Sequence, residues 1–304
     1  MRVVVAGGHG LIGSRLAWDL AERGHVVVAV SRRTGVDTMT GMGLDSALAG
    51  CDTLVDVTNA SSFEEPYVTE FFQRSTQNLV DAAARAGVKH HIALSVVGTP
   101  RLIESPYFRA KAIQERILAR SGNPHTLIRA TQFFEFMANI IPAGLGTGPV
   151  AVSPALVQPI AARDVAGILA DVVEDGPATK LTEIAGPELH RLCDLVQWVM
   201  YAFQDSRPMI ADAAARYYGA VLDNDTLTPS RYVRHGRRGQ TYFGDWLDEL
   251  LGAGKRPPPV RHPNPFSRDQ IAGEPVPRQW AGSGSVSPPR SVRQPNHDEV
   301  RSGK

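Results

Sequence analysis

Residues 3–13 read VVVAGGHGLIG, and this stretch decides the fold. Its glycines follow an apolar run with two overlapping spacings, G-x-x-G-x-x-G at positions 7, 10 and 13 and G-x-G-x-x-G at positions 8, 10 and 13. Glycine permits a tight turn and a close approach of the backbone to a pyrophosphate, and the next helix offers free N–H groups to that anion. A purely structural turn is the alternative. The predicted cofactor-binding residues here are Gly7, Gly8, His9, Gly10, Leu11, Ile12 and Gly13.

Short β-branched runs alternate with helical stretches through the first half of the chain, which is typical of a parallel sheet covered on both faces. Strands are predicted at residues 2–6, 25–30, 53–57, 89–95 and 125–129, and helices at residues 11–23, 66–86 and 107–120. A weaker strand at residues 35–37 and a short helix at residues 44–49 complete the strand order 3-2-1-4-5-6 under right-handed crossovers. The sequence therefore predicts an α/β protein with a Rossmann-type, doubly wound parallel sheet.

The regular alternation loosens after residue 130. Prolines and glycines divide this part into short pieces, and helices are predicted at residues 162–173, 189–203, 211–222 and 242–251. We interpret residues 1–251 as one NAD(P)-binding unit. Its smaller substrate lobe, formed mainly by residues 131–251, is expected at the carboxyl edge of the sheet, where open α/β folds place their ligands.

Residues 252–304 differ from the rest in composition. They hold ten of the 22 prolines and carry nine Lys or Arg against four Asp or Glu, a net charge of +5, whereas residues 1–251 have a net charge of −4. Such a segment buries too little apolar surface to offset its chain entropy, so we predict a disordered Pro/Arg-rich tail. The mildly acidic remainder argues against a nucleic-acid partner.

Cysteines, histidines and hydropathy exclude other classes of protein. Cys51 and Cys193 stand far apart, and His90 and His91 lack a carboxylate or thiol at ligand spacing, so we expect neither disulfides nor a metal site. The sequence has no uncharged apolar run of membrane-spanning length and no signal-peptide pattern at Met1. We therefore expect a cytoplasmic protein without a membrane partner.

The end of the second predicted strand indicates which dinucleotide is bound. An NAD-preferring site usually has Asp or Glu here to accept from the ribose 2′-hydroxyl, whereas this chain has Ser31, Arg32 and Arg33. Guanidinium groups suit a 2′-phosphate, with the serine as a neutral donor. NADP(H) is therefore predicted over NAD(H), which stays an alternative cofactor. A second alternative is that both arginines are solvated loop residues that bind no ligand.

A serine, a tyrosine and a lysine follow the fourth long strand. Ser95 lies at the strand end. The sequence SPYFRAK, which begins ten residues on, has Ser105 as a helix N-cap and Pro106 as the first helical residue. Tyr107 and Lys111 then lie one helical turn apart on one face. An ammonium group at that distance stabilises a phenolate, so the spacing predicts a tyrosine whose pKa falls toward neutrality for proton transfer.

These residues together resemble the short-chain dehydrogenase/reductase superfamily. The phrases ALSVVGT at residues 93–99 and IRATQFFEF at residues 128–136 are similar to its atypical NmrA-like branch, and the resemblance covers about residues 1–250. It implies that Tyr107 is the general acid/base, that Lys111 lowers its pKa and holds the nicotinamide ribose, and that Ser95 orients the substrate carbonyl. It further implies that the cofactor is lined by Thr58, Asn59 and Ala60, with Thr131 to Phe133 beside the nicotinamide.

Some positions depart from the family pattern or have a plainer interpretation. Phe72 lies near the place where many superfamily members have an asparagine for a proton relay, so such a relay is doubtful here. Asp164 is interpreted as a helix brace. Several aromatic and apolar side chains fit a pocket wall or a core about equally well. These are Phe133, Phe134, Phe136, Met137, Tyr217 and Tyr218.

The leading hypothesis is an NADPH-dependent oxidoreductase acting on a small-molecule carbonyl, quinone or similar acceptor. A second is a non-catalytic NADP(H) sensor that binds a protein partner, since the NmrA-like branch contains such proteins. A third is a sugar-nucleotide epimerase or dehydratase with bound NAD, as in the related extended branch. The absence of an acidic residue after the second strand counts against the third, and the Ser-Tyr-Lys set counts against the second.

Overall fold

The computed structural model describes residues 1–140, 148–178, 181–230 and 235–251, so the predicted tail at residues 252–304 lies outside the described residues. The first half alternates strands and helices as the hydrophobic pattern predicts. Its elements in order are β1 (Arg2–Ala6), α1 (Leu11–Glu22), β2 (Val26–Val30), a 3₁₀ turn (Arg32–Thr34), α2 (Leu44–Leu48), β3 (Thr53–Asp56), α3 (Tyr67–Ala86), β4 (His90–Val96), α4 (Pro106–Arg120) and β5 (His125–Ala130).

The second half contains shorter elements. They begin with a second 3₁₀ turn (Phe134–Phe136), α5 (Met137–Ile140), β6 (Val150–Val152), β7 (Leu156–Val157), α6 (Ala162–Asp175), β8 (Leu181–Ala185) and β9 (His190–Arg191). The chain continues with α7 (Leu192–Ala202), β10 (Met209–Ala211), β11 (Arg216–Tyr217), β12 (Ala220–Val221), β13 (His235–Arg238) and α8 (Phe243–Leu251). The helix predicted over residues 189–203 begins only at Leu192, because β9 pairs with β7 just before it.

Within the part of the chain that the structure describes, seven strands form one parallel sheet in the order β13-β8-β5-β4-β3-β1-β2. Helices α1 and α6 pack together on one face, and α3 and α4 on the other. The predicted Rossmann-type α/β fold is therefore confirmed. Two strands of this sheet, β8 and β13, come from the part of the chain that the sequence assigns to the smaller lobe.

Successive side chains of β1 point to opposite faces of the sheet, so this strand contributes to a core on each face. Val3 and Val5 pack in a cluster that includes Leu16 of α1, whereas Val4 packs with Leu79 of α3. All of these side chains are buried, and each contributes roughly 1.5–3 kcal/mol of hydrophobic stabilisation. The strand is thus fixed from both sides, and so is the glycine turn that follows it.

Residues 35–37 do not form the predicted third strand. Gly35 has a φ of +78° and ends the first 3₁₀ turn, and the N–H of Val36 donates to the Ser31 carbonyl at 3.1 Å. This compact turn leaves no extended backbone to pair with β2. The predicted order 3-2-1-4-5-6 is therefore wrong at that edge, where β2 is the last strand.

The Ala-rich sequence of residues 211–222 predicts a helix, and this prediction is also wrong. β10 pairs with β6, and β11 and β12 form an antiparallel hairpin. Its two turn residues, Tyr218 and Gly219, have φ values of +47° and +91°. Two-residue hairpin turns require such left-handed conformations, and Gly219 supplies one of them without strain.

The elements after β5 surround a second core, which contains Phe134, Leu195, Val196 and Phe243. The same cluster includes Phe108 of α4, so the smaller lobe packs directly on the start of that helix. The β11–β12 hairpin is thereby held beside Tyr107. Among the helices of the described residues, none combines the length and the apolar character needed to cross a membrane.

Candidate cofactor and active site

A cavity of about 550 Å³ lies at the carboxyl ends of the strands. Parallel α/β sheets bind their ligands at this edge. Its lining includes predicted site residues and also residues that the sequence did not predict as site residues. The lining residues are Gly7, His9, Gly10, Leu11, Ile12, Ser31, Arg32, Arg33, Val57, Thr58, Asn59, Phe63, Leu94, Ser95, Val96, Tyr107, Phe108, Lys111, Ala130, Thr131, Gln132, Phe133, Phe136, Tyr217 and Tyr218.

The glycine turn joins β1 to α1 at one end of this cavity. Gly7 has a φ of +82°, and a Cβ there would lie 2.8 Å from the Val57 carbonyl oxygen. The N–H groups of Gly7 and Gly8 both donate to the Val30 carbonyl at 3.1 Å. The turn is therefore built against β2 and the segment after β3, with no room for a side chain at position 7.

Three predicted cofactor residues do not line the cavity. A Cβ on Gly8 would lie 2.7 Å from the Ala29 Cβ, and one on Gly13 would overlap the Gly7 carbonyl oxygen. Both glycines thus permit close packing of the turn. Ala60 is buried in a cluster with Phe71 and Phe72, so it supports the cavity wall from behind.

The predicted 2′-phosphate site contains a small hydrogen-bonded group. Nδ1 of His9 lies 3.0 Å from Oγ of Ser31, and Nη2 of Arg33 donates to the His9 carbonyl at 3.2 Å. Arg32 is exposed beside them. None of the described residues that line the cavity is Asp or Glu, so no carboxylate repels an anion at this end.

Thr58 is fixed at the end of β3 by a buried carboxylate. Its N–H and its hydroxyl both donate to Oδ1 of Asp56, at 2.9 and 2.6 Å. The other oxygen of Asp56 accepts from Nε2 of Gln114 on α4 at 2.9 Å. This arrangement holds Thr58 and Asn59 at the cavity, where both were predicted.

Tyr107 lies in an aromatic environment. Its ring centroid is 4.6 Å from that of Phe63, 5.6 Å from Phe108 and 5.9 Å from Phe72. Burial raises the pKa of Tyr107 above its ordinary value, and nearby Tyr218 raises it further. This direction is opposite to the predicted fall, so the phenol is protonated at neutral pH.

Lys111 of α4 lines the cavity. Its Nζ donates to the Leu94 carbonyl at 2.8 Å and lies 4.6 Å from the centroid of Phe72. Burial lowers the pKa of Lys111 to about 8, against the opposing effects of Asp56 and Glu115. Phe72 thus occupies the space beside Lys111 where the family pattern has a polar relay residue.

Ser95 lines the cavity, but its hydroxyl is already engaged. It donates to Oε1 of Glu115 at 2.6 Å, and Glu115 is paired with Arg129 at 2.6 Å. Arg129 also lies 3.6 Å from Glu183. The predicted Ser-Tyr-Lys set is therefore brought to one cavity with two of its three polar groups bonded to other parts of the protein. The predicted N-cap Ser105 makes no capping bond with its side chain.

The residues after β5 contribute polar groups without partners. Thr131 and Gln132 are 1% and 5% exposed, and neither the threonine hydroxyl nor the glutamine amide makes a hydrogen bond in the described part of the chain. Buried polar groups in native proteins are normally paired. Both line the cavity, so a bound ligand is the natural partner for them.

The aromatic and apolar residues that fitted either a pocket wall or a core fall into two groups. Phe133 and Phe136 line the cavity as a stacked pair with centroids 5.5 Å apart, and Tyr217 and Tyr218 line it as well. Phe134 and Met137 are buried in the second core. Phe63 was not predicted, although an aromatic residue in a loop that follows a strand's carboxyl end could have been a signal for it.

The residues present fit a dinucleotide. The first turn of α1 has N–H groups without partners in the helix, and its N-cap Gly10 has no side chain to bind them. A pyrophosphate over the turn would accept from these groups. The side-chain-free cradle at Gly7 and Gly10 lies between this helix end and Ser31 to Arg33, which would face the adenosine ribose.

His90, His91 and the two cysteines are not among the residues that line this cavity. Burial lowers the pKa of both His90 and His91 to about 4, so they are neutral at neutral pH. Cys51 and Cys193 are free and buried. Among the described residues, no group of three or more His, Cys, Asp or Glu is arranged to hold a metal ion.

A model of an NAD(P)H-binding family matches residues 7–176, more than half of the 304-residue chain. The chain belongs to this NAD(P)H-binding family. The matched region begins at the first glycine of the turn and contains Ser31 to Arg33, Tyr107 and Lys111. It therefore includes most of the cavity that the fold assembles.

Individual relatives are similar to different extents. The chloroplastic divinyl chlorophyllide a 8-vinyl-reductase of Oryza sativa subsp. indica is 27% identical over 326 residues, covering 78% of this chain and 80% of that protein. Photosystem II assembly factor Ycf39 of Synechocystis sp. is 24% identical over 149 residues, covering 44% of this chain and 46% of that protein. The chain thus matches less than half of the length of that assembly factor.

Solved structures show the same fold. UDP-glucose 4-epimerase of Thermus thermophilus, in complex with NAD, has a TM-score of 0.56 and 18% identity, covering 75% of this chain and 92% of that one. At this level of identity the comparison supports the fold alone. The family model confirms the predicted NAD(P)H-binding domain, whereas membership of the short-chain dehydrogenase/reductase superfamily and of its NmrA-like branch stays a prediction.

Proposed function

We propose that the protein is an NADPH-dependent oxidoreductase that transfers hydride to a small-molecule carbonyl, quinone or similar acceptor. The observation that carries this proposal is the cavity that joins the glycine turn to Tyr107, Lys111 and the unpaired groups of Thr131 and Gln132. NADPH held there by the glycine turn and by Ser31 to Arg33 would supply a hydride to the acceptor. The reductase among the relatives is consistent with this class of reaction.

The preference for NADPH is supported by charge. Arg32 and Arg33 lie at the end of the cavity next to the glycine turn, and no described lining residue is acidic. Arg33 is held against the loop by its bond to the His9 carbonyl, so less side-chain entropy is lost when it binds a phosphate. NAD(H) remains the alternative cofactor for this family.

The state of Tyr107 favours reduction over oxidation. A general acid must carry its proton before the reaction, and burial keeps this phenol protonated at neutral pH by raising its pKa. Proton transfer to the reduced acceptor would leave a phenolate. Lys111, one helical turn away, is the nearest cation on the same helix face and would oppose that charge if it left the Leu94 carbonyl.

Tyr107→Phe tests the proposal, because it deletes the hydroxyl and keeps the ring. Purified protein is screened for oxidation of NADPH and NADH with ketones, aldehydes and quinones, and the variant is then compared on a ketone. Turnover should fall by roughly 10²-fold or more, while the dissociation constant for NADPH stays unchanged. Tyr201→Phe, an exposed tyrosine outside the cavity, is the matched control. A Tyr107→Phe variant that reduces the ketone at the wild-type rate would contradict the role of Tyr107.

A ketone is the right acceptor for this comparison. Its reduction forms an alkoxide that must take a proton at once, whereas the anion of a hydroquinone is stable enough to take its proton from water. A quinone reduced equally well by both proteins would therefore leave the proposed hydride transfer intact.

A non-catalytic NADP(H) sensor is the second candidate, and one observation favours it. The Ser95 hydroxyl is bonded to Glu115 and the Lys111 ammonium group to Leu94, so neither is free for catalysis before a ligand binds. This hypothesis predicts no acceptor in the screen and an affinity for a partner protein that depends on NADPH. The epimerase or dehydratase hypothesis predicts instead tightly held NAD and conversion of a sugar nucleotide.

A further inference from the structure

The end of the cavity away from the glycine turn is walled by aromatic rings. Phe63 packs on Tyr107 at 4.6 Å and on Tyr218 at 5.7 Å between ring centroids. These three rings come from the loop after β3, from α4 and from the β11–β12 hairpin. Phe133 and Phe136, a stacked pair from the segment after β5, line the same cavity. We call the part of the cavity formed by Phe63, Tyr107 and Tyr218 the aromatic end.

Tyr218 is held in an uncommon conformation at this end. Its φ of +47° is left-handed, a conformation that strains a residue with a Cβ. The hairpin turn with Gly219 imposes that conformation, and the ring packs edge-on against Tyr217 with centroids 4.7 Å apart. The ring is thus fixed in position while 37% of the residue stays exposed, as a binding surface requires.

Formal charge is missing from the aromatic end. Among the described lining residues, the only Lys or Arg near it is Lys111, whose ammonium group is bonded to the Leu94 carbonyl. The two arginines lie at the opposite end, beside the glycine turn. A diphosphate or carboxylate would lose its hydration here without gaining a charged partner, so the chemistry of this end suits an uncharged ligand.

Gln132 supplies a polar group to the same cavity. It is 5% exposed, and its amide nitrogen and oxygen both lack partners among the described residues. Leaving such a group unpaired is unfavourable, and a ligand oxygen would remove this penalty by accepting a hydrogen bond from Nε2. Ser95, the residue expected to orient a carbonyl, already donates its proton to Glu115.

We propose that the aromatic end binds an uncharged, flat aromatic carbonyl compound. Its rings stack against Phe63 and Tyr218, and its carbonyl oxygen accepts a hydrogen bond from Nε2 of Gln132. This substrate class rests on the proposed function. In the reaction, hydride from NADPH adds to the carbonyl carbon, the Tyr107 proton adds to the oxygen, and the products are the alcohol and NADP⁺, with Tyr107 reprotonated by solvent.

Binding is measured without turnover by titrating the full chain, saturated with NADP⁺, in a calorimeter. The probes are 2-acetonaphthone, its ring-saturated counterpart 2-acetyldecalin, and UDP-glucose. The flat ketone should bind about tenfold more tightly than the saturated one, because aromatic pairing adds to apolar burial. UDP-glucose should not bind measurably. Equal binding of the two ketones, or tighter binding of UDP-glucose, would overturn the proposal.

Variants then locate the binding site. Tyr218→Leu should weaken binding of 2-acetonaphthone about two- to tenfold and leave NADP⁺ binding unchanged, whereas Tyr218→Phe should keep both. Tyr242→Leu, an exposed tyrosine outside the cavity, is the matched control. If Tyr218→Leu does not fold, Phe136→Leu replaces it, since that ring is 36% exposed and lies on the same cavity. No weakening in either variant contradicts the aromatic wall.

Gln132→Leu distinguishes the two ligands that its amide could serve. We expect an approximately two- to tenfold weaker binding of 2-acetonaphthone with an unchanged dissociation constant for NADP⁺. Weaker NADP⁺ binding with unchanged ketone binding would assign the amide to the cofactor and overturn its role here. Selective ketone binding without any turnover would contradict the proposed oxidoreductase activity and leave this substrate class intact, so the two failures are separable.

Discussion

The two ends of the cavity are built in different ways. The glycine-turn end comes from two short segments, residues 7–12 and 31–33, and its main features are backbone groups and glycines with no room for a Cβ. The aromatic end takes its rings from three separate places, the loop at position 63, α4 at position 107 and the β11–β12 hairpin at position 218. One end therefore depends on local backbone geometry, and the other on tertiary packing.

This difference separates what is shared from what is particular to this chain. A pyrophosphate is the same in every dinucleotide, so a turn that binds it has the same glycines wherever it occurs. An acceptor differs from one enzyme to the next, and loops and hairpins supply its pocket. Substitutions at one end should accordingly change cofactor binding, and substitutions at the other should change acceptor binding.

The largest effect is expected from Gly13→Ala at the glycine-turn end. The new Cβ would overlap the Gly7 carbonyl oxygen, so the helix must move away from the strand. We expect NADPH affinity to fall at least about 100-fold, since displacement of a binding group by about 1 Å has effects of that size. The free energy of unfolding should fall by roughly 1–3 kcal/mol. Calorimetry and urea denaturation measure the two quantities.

Gly167→Ala is the matched control, because Gly167 is also a helical glycine but has open space where its Cβ would be. Alanine should stabilise α6 there by about 0.5–1 kcal/mol and leave NADPH binding unchanged. Normal NADPH affinity in Gly13→Ala would show that α1 tolerates displacement and that the turn does not bind the pyrophosphate.

Lys111 should make the free energy of unfolding depend on pH. Burial lowers its pKa in the folded chain to about 8 from an ordinary value of 10.5. Between these values the unfolded chain keeps a proton that the folded chain has lost, so the unfolded state binds more protons and stability rises with pH. The unfolding free energy of the wild type, relative to Lys111→Met, should rise on the order of 2–3 kcal/mol across this window.

Urea denaturation at pH values from about 7 to about 11, a range that spans both pKa values, provides the measurement. Lys89→Met is the control, since Lys89 is an exposed lysine paired with Asp52, and that pairing raises its pKa rather than lowering it. A flat difference between wild type and Lys111→Met would mean that Lys111 is solvated in the folded chain.

The difference between the two ends also explains which features could be predicted from the sequence. The sheet and the glycine turn follow from local rules, since β-branched runs form strands and only glycine fits the turn. Tyr107 and Lys111 were likewise placed in the cavity by their position on a helix. The direction in which the pKa of Tyr107 is shifted could not be predicted. This pKa is raised because Phe63, Phe72 and Phe108 surround the phenol, and two of these residues lie far from it in the chain.

Two predictions failed for opposite reasons. Residues 211–222 have the alanines of a helix, yet β10 pairs with β6 and the hairpin turn forms at Tyr218 and Gly219. Pairing across the chain thus outweighed a helix propensity of a few tenths of a kcal/mol per residue. Residues 35–37 failed in the opposite way, because a tight local turn at Gly35 removed an expected long-range strand.

Positive charge at the glycine-turn end should determine the preference for NADPH over NADH. If Arg32 and Arg33 bind the 2′-phosphate, the wild type should bind NADPH more tightly than NADH by about 1.5–3 kcal/mol, because charge-assisted hydrogen bonds are lost with that phosphate. Arg33→Ala should reduce this preference about tenfold, and Arg32→Ala should reduce it as well. Arg120→Ala, an exposed arginine at the far end of α4, should leave it unchanged. Equal affinities of the wild type for both cofactors would refute the assignment.

The smallest effect tests whether the aromatic end is packed before any ligand binds. The rings of Phe63 and Tyr107 are 4.6 Å apart and tilted by 46°, a geometry in which aromatic pairs contribute roughly 0.5–1.5 kcal/mol beyond burial. A double-mutant cycle of Phe63→Leu and Tyr107→Leu isolates that pair, because the separate losses of packing cancel. We expect a coupling in that range in the unfolding free energy from urea denaturation. A coupling near zero would mean that the loop carrying Phe63 does not rest on Tyr107 in the free protein, and the aromatic end would then form only around its ligand.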